Sequence, residues 1–189
     1  MNSLDTVARR AESLASFVGN YRRVSELPAP RPEPVLLTAL FARLEQLVAA
    51  EWRVRGGDAT FTVEPAGLTL MADPGQSEQA LLNLLLNAAE ATAGTAEVPR
   101  VSLSARLVRG GRLLLTVRDN GPGVPAGLER DIFLPFFSAR AAPAFAPAST
   151  PKEARGIGLT VVRSLVHGMG GTVRCVKTVR GGASFVISF

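Results

Sequence analysis

The chain has 189 residues, of which 47% are hydrophobic, so it can bury a core as one domain with a short appendage, and global disorder is excluded. Its formal net charge of +5 is almost all Arg, without a basic block, and one Tyr and one Trp offer no stacking platform, so no nucleic-acid partner is expected. A single Cys forbids an internal disulfide and points to a reducing compartment, and one His with one Cys cannot make a zinc site.

Along the chain, Leu4, Val7, Ala8, Ala11, Leu14, Ala15, Val18 and Tyr21 recur at helical spacing and predict an amphipathic helix over residues 4 to 27 that needs a partner helix. The prolines of LPAPRPEPV forbid regular helix, which places a domain boundary and a linker over residues 28 to 34. A second amphipathic helix is predicted over 34 to 52, with Leu36, Leu37, Leu40, Leu44, Leu47 and Val48 as its stripe. ATFTVEP and LTLMAD read as a short hairpin. Asp73 and Pro74 open a strong helix that runs to about Ala93.

RVSLSARLV and RLLLTVRD form a second predicted hairpin around Gly110 and Gly111, followed by an irregular stretch from 119 to 155. Its Ala/Pro-rich part, ARAAPAFAPASTPKEA, cannot pack a core and reads as a mobile loop. GIGLTVVRSLVHGMGG is a helix opening on glycines and closed by Gly170 or Gly171, and TVRCVKTV with ASFVISF ends the chain as a hairpin. Cys175, beside Val173 and Val176, reads as a small core hydrophobe. Hairpins separated by helices, without β-α-β alternation, predict an α/β two-layer sandwich. No signal peptide and no bilayer-length apolar run is recognised, so the expected location is cytoplasmic.

Asn83, Asn87 and Glu90 stand at i, i+4 and i+7 within a run of leucines and so share one helical face. A buried Asn without a partner costs roughly 1–3 kcal/mol, so the pair is either a solvent-facing polar stripe or a shared ligand site. Carboxamide oxygens suit a hard cation such as Mg²⁺, which takes few protein ligands beside phosphates and water. GIGL, residues 156 to 159, sets Gly156 and Gly158 at a helix start, where bare N–H groups and the helix dipole attract an anion; close packing is the other use of such glycines. DNGPGVP, residues 119 to 125, has the composition of a tight turn or of a backbone shaped around a ligand. IFLPFFSAR, residues 132 to 140, reads as a hydrophobic plug that anchors one end of a lid. His167 reads as a helix-end residue whose charged form favours the C-terminal dipole.

In this order the motifs resemble the ATP-binding catalytic domain of sensor histidine kinases, within the wider fold shared with DNA gyrase, chaperone ATPases and mismatch-repair ATPases (the Bergerat ATP-binding fold). NLLLNAAEA matches the N box, DNGPGVP the first glycine box, IFLPFF the F box, GIGL the second glycine box and GGASFVISF the closing hairpin. The resemblance covers about residues 34 to 189, and residues 1 to 27 look like the second helix of a dimerisation and phosphoacceptor module. It implies that Asp119 accepts a hydrogen bond from the adenine amino group and that Gly121 and Gly123 let the backbone approach the nucleotide. It further implies that Asn87 holds Mg²⁺, with Asn83 near the phosphates or metal as the catalytic-site amide. Gly156, Gly158, Leu159 and Thr160 would lie at the phosphates of ATP, with Glu90 close by and Arg140, Lys152 and Arg155 as cations of a lid over 138 to 155.

Three departures stand out. Glu90 occupies a position that often carries Lys or Arg, Thr160 stands where another Gly is usual, and no phosphoacceptor His lies in the expected place. The implied reading is a fragment of a longer, homodimeric kinase, in which the acceptor histidine belongs to the dimerisation module and the phosphate passes to a response regulator. The parent is open to being an inner-membrane sensor. A gyrase-type or chaperone-type ATPase is the rival, but it needs a Glu as general base where this chain has Asn83, which cannot take a proton at neutral pH. A degenerate nucleotide-binding or interaction module without transfer is the third reading.

Overall fold

The computed structural model describes residues 27–93, 95, 97–135, 137, 157–178 and 181–189. The helix expected over 4 to 27 lies outside them, apart from its last residue, and so does the lid expected over 138 to 155. In chain order the elements are β1 (Glu33–Leu36), α1 (Leu37–Val54), β2 (Asp58–Glu64), β3 (Thr69–Ala72), α2 (Pro74–Thr92), β4 (Arg100–Leu107) and β5 (Leu113–Asp119). A 3-10 turn at Asp131–Phe133, α3 (Gly158–Gly168), β6 (Thr172–Lys177) and β7 (Ala183–Ser188) complete them.

Five strands form one sheet in the order β2-β4-β5-β7-β6, with β2 and β4 parallel and the other pairs antiparallel. Strand alternation turns whole cross-strand rows to one side. Phe61, Leu103, Val117, Phe185 and Cys175 make one such row, and Val63, Ala105, Leu115, Ile187 and Val173 the next. Against them α1 packs on β2, α2 on β4 and β5, and α3 on β6, while α2 also touches both other helices. The result is the predicted two-layer sandwich. Cys175 is part of this layer, and burial pushes its thiol up to about 11, as for an unreactive core group.

Burying a leucine is worth roughly 1.5–3 kcal/mol. Leu81, Leu84 and Leu85 are at most 1% exposed, so they fix the rotation of α2 about its axis. That rotation leaves Asn83 and Asn87 half-buried at the rim and Glu90 exposed. The polar face is therefore positioned by the apolar one.

Three expectations fail before α2. ATFTVEP and LTLMAD do not pair with each other: β2 runs parallel to β4, from Asp58 opposite Arg100 to Glu64 opposite Arg106, and β3 pairs antiparallel with β1. The helix expected from residue 34 starts at Leu37, because Glu33–Leu36 is taken up as β1, where Val35 and Leu70 meet as a buried pair. Pro34 is tolerated there because β1 is an edge strand. Leu36 and Leu47, placed in the predicted stripe, are 44% and 53% exposed; Phe41 and Trp52 take their share of the core.

Asp73 caps α2 as expected, its Oδ1 accepting from Gln76 N at 2.9 Å, with Pro74 opening the helix. Its Oδ2 also accepts from Arg31 N at 2.9 Å, and Gln76 Nε2 donates to Pro28 O at 2.8 Å. The proline-rich segment is thereby fastened to the N-terminus of α2. The N–H groups of Arg31 and Gln76 hold the Asp73 carboxyl below the usual carboxylate range. A depressed folded-state pKa adds stability that is complete above the ordinary carboxyl pKa and is lost as pH falls through the lower folded value. Asp73→Ala should therefore cost about 1 kcal/mol at neutral pH, with the deficit shrinking below about pH 4, as read by urea denaturation across pH 2–7.

Candidate nucleotide site

The site is built where the C-terminal end of β5, the start of β7 and one face of α2 converge. Asp119 ends β5 in register with Val101, on the same side of the sheet as Val117, and is 4% exposed. Its Oδ1 accepts from Gly121 N at 2.8 Å and from Ala183 N at 3.2 Å. Two donors on one oxygen fix the plane of the carboxylate. Burying a carboxylate costs several kcal/mol, which these charge-assisted bonds offset.

Both donors are backbone groups, so the segments that carry them must come very close. A Cβ on Gly121 would lie 3.0 Å from Ala91 O and 3.0 Å from Asp119 Oδ1. At Gly123, with φ +77°, it would lie 2.7 Å from Gly182 O. At Gly182, with φ +82°, it would overlap the Asp119 carbonyl oxygen. The glycines of the first box thus serve the approach of protein backbone to protein backbone. Gly182 and Ala183 were not among the expected site residues; the GG pair before the last strand was the available signal.

Asn120 is a second residue that sequence reasoning passed over. Its Oδ1 accepts from Arg100 N at 2.8 Å, and its Nδ2 donates to Val98 O at 2.9 Å and to Glu97 Oε2 at 3.4 Å. The loop after α2 is thereby tied to the turn after β5. Inside the turn region, Glu129 is held below its ordinary range first by backbone N–H donors, with Lys177 Nζ 3.7 Å away as a smaller cause. A cavity of about 240 Å³, lined by Pro122, Val124, Glu129, Cys175 and Lys177 among others, lies beside this turn and reaches neither Asn87 nor Asp119.

Asn87 faces the start of α3. A Cβ on Gly158 would stand 3.6 Å from its Oδ1 and 3.7 Å from its Nδ2, an ordinary contact distance, so the first turn of α3 packs directly over the amide. Among the described residues, Asn87 Nδ2 is the one buried side-chain polar atom without a hydrogen-bond partner. Such a group costs about 1–3 kcal/mol, which a ligand bound there would recover. The carboxamide also carries an oxygen donor of the kind Mg²⁺ takes, and rotation about the last bond exchanges oxygen and nitrogen. The residue fits the expected metal ligand. Asn83 lies one turn earlier on the same helix.

The first turn of α3 begins at Gly158 with no side-chain cap from Ile157, and Leu159 packs at the margin of the core. Thr160 is buried, and its Oγ1 donates to Phe133 O at 3.2 Å. Phe133 in turn meets Phe185 edge to face, with ring centroids 6.2 Å apart. The F-box plug is therefore real at Ile132 and Phe133, 5% and 4% exposed. Arg140, Lys152, Arg155 and Gly156 lie outside the described residues.

Residues 72–189 match the model of the histidine kinase-, DNA gyrase B- and HSP90-like ATPase family. The chain belongs to this family. It is 31% identical over 179 residues to the sensor histidine kinase ZraS of Klebsiella oxytoca, covering 95% of this chain and 36% of that protein. It is 33% identical over 191 residues to the sensor protein KdpD of Mycobacterium tuberculosis, covering 97% of this chain and 21% of that protein. The chain thus spans at most about a third of these relatives. Full-length ShkA, crystallised in complex with AMPPNP, superposes with a TM-score of 0.73 at 28% identity, covering 98% of this chain and 38% of that one. Within the family this is a catalytic domain of the sensor-kinase kind, and its mixed sheet under one layer of helices is the Bergerat fold. Among the described residues no helix is long and apolar enough to cross a membrane.

The glycine contacts separate two kinds of requirement. Gly181 also has a positive φ, +79°, but its Cβ would meet nothing within 4 Å. Gly181→Ala should cost only the conformational penalty of about 1–2 kcal/mol, whereas Gly182→Ala should cost several times more by expelling Asp119 from its seat. Guanidinium unfolding of the two variants side by side gives the comparison, and equal losses would disprove the close approach.

Proposed function

We propose that this domain binds ATP with Mg²⁺ and transfers the γ-phosphate to a histidine of its parent kinase's dimerisation module, for relay to a response regulator. The observation that carries the reading is the Asn87 amide, buried and unpartnered on Nδ2 beside the uncapped start of α3. Family membership and the AMPPNP complex of ShkA support it. Asp119 would accept from the adenine amino group, with Gly121 and Gly123 beside the ring. Asn87 would hold the metal, and Asn83 would bond the phosphates or the metal's water. The backbone N–H groups at Gly156, Gly158 and Leu159 would receive phosphate oxygens, favoured by the helix dipole. Arg140, Lys152 and Arg155 are proposed as lid cations, and Glu90 as a rim residue that adds no positive charge. Bound Mg²⁺ would supply Lewis-acid neutralisation of phosphate charge.

Asn83 argues for transfer over hydrolysis, because an amide cannot act as a general base toward water. Transfer breaks the β–γ phosphoanhydride, forms a phosphorus–nitrogen bond on the acceptor imidazole and releases ADP. The acceptor is not His167. It stands exposed in the last turn of α3, and the rise from Gly158 puts it about 13 Å from the helix start, out of in-line reach. The parent is proposed to act as a homodimer that brings the acceptor helix to this site.

Asp119→Asn keeps an oxygen for the Gly121 and Ala183 donors, so the fold should persist while ATP affinity falls about tenfold or more. Calorimetry with unchanged affinity would refute the role of Asp119. Incubated alone with radiolabelled ATP and Mg²⁺, the chain should accumulate no acid-labile phosphate on His167, and label there would overturn the external-acceptor reading.

A further inference from the structure

We infer that Thr160 is a positioning residue for the phosphate end of the nucleotide site, acting through its hydroxyl on the backbone of the 3-10 turn. The inference rests on the nucleotide reading above and assigns Thr160 a task other than touching the ligand. Thr160 is 3% exposed on the first turn of α3, and its Oγ1 bonds Phe133 O at 3.2 Å across a sequence separation of 27 residues. A helical threonine ordinarily turns its hydroxyl back to a carbonyl three or four residues earlier. Here it leaves its own helix instead.

Both ends of this bond are firmly seated. Phe133 is packed edge-on against Phe185, whose neighbour across the sheet is Val117, two residues before Asp119. On the helix side, Val161 N donates to Ile157 O at 2.9 Å, and Val162 is fully buried. Two residues before Thr160, Gly158 abuts the Asn87 amide. One hydroxyl therefore couples the turn downstream of the first glycine box to the helix start that faces Asn87. It also pins the two ends of the intervening chain to each other, at a point where Ile157 supplies no cap to steady the helix. Donors aimed at a phosphate lose their value with orientation errors of about 10–20°, so an unlatched first turn would weaken phosphate contacts and leave the adenine end untouched.

The test compares wild type, Thr160→Val and Thr160→Ser in the full 189-residue chain with Mg²⁺, titrating ATP and ADP by calorimetry and adenosine by NMR. Valine keeps the shape and removes the donor. It should weaken ATP and ADP roughly tenfold and leave adenosine binding unchanged, and serine should restore the wild-type pattern. Equal weakening of adenosine and ATP would overturn the inference in favour of a general structural role, as would a valine variant with wild-type affinities. If circular dichroism shows the valine protein unfolded, Thr160→Ala is read in its place by the same criteria. A wild-type chain that binds none of the three ligands would instead overturn the nucleotide reading itself, before any variant is compared.

Discussion

The Asp119 carboxylate sits on the inward side of the sheet beside Val117, and the turns at that end of the molecule are arranged around it. A charge in that position needs donors that bring no bulk of their own, which leaves backbone N–H groups. Gly121 and Ala183 supply them. To do so, the turn after β5 must press against the last turn of α2, and the start of β7 must press against Asp119 itself. Side chains at 121, 123 and 182 would fill the space that these approaches use. The first glycine box is thus a packing solution.

The same economy governs α2. Its leucines anchor it to the sheet, and their burial decides where Asn83 and Asn87 stand. The N-terminus of that helix receives the incoming chain through Asp73 and Gln76, and the loop after its C-terminus is tied to the first glycine box through Asn120. A single rigid element therefore connects the segment entering the domain, the two amides and the turn that carries Gly121.

Much of this was legible in the chain. The cap at Asp73, the end of α2 near Ala93 and the β4–β5 and β6–β7 hairpins all arise from neighbours within a few residues, where capping, turn chemistry and periodicity act. The misread region shows the limit of that logic. Residues 58–64 and 69–72 have the alternation of strands and lie a turn apart, yet each finds its partner elsewhere, β2 beside β4 and β3 beside β1. Alternation says which face of a strand is apolar; it does not say which strand lies next to it.

By itself, the sequence determined that the protein is an α/β sandwich with a polar triplet on an apolar helix and glycines at two turns, because those features follow from local geometry and composition. Only the tertiary structure decided that Gly123 and Gly182 stack on each other, that Thr160 reaches Phe133, and that Asn87 alone among the described side chains holds a buried polar atom without a partner. The first two join residues far apart in the chain, and the third is an atom that the packing of distant segments leaves unpaired. Their proximity is set by how the core packs as a whole, and no local preference encodes that.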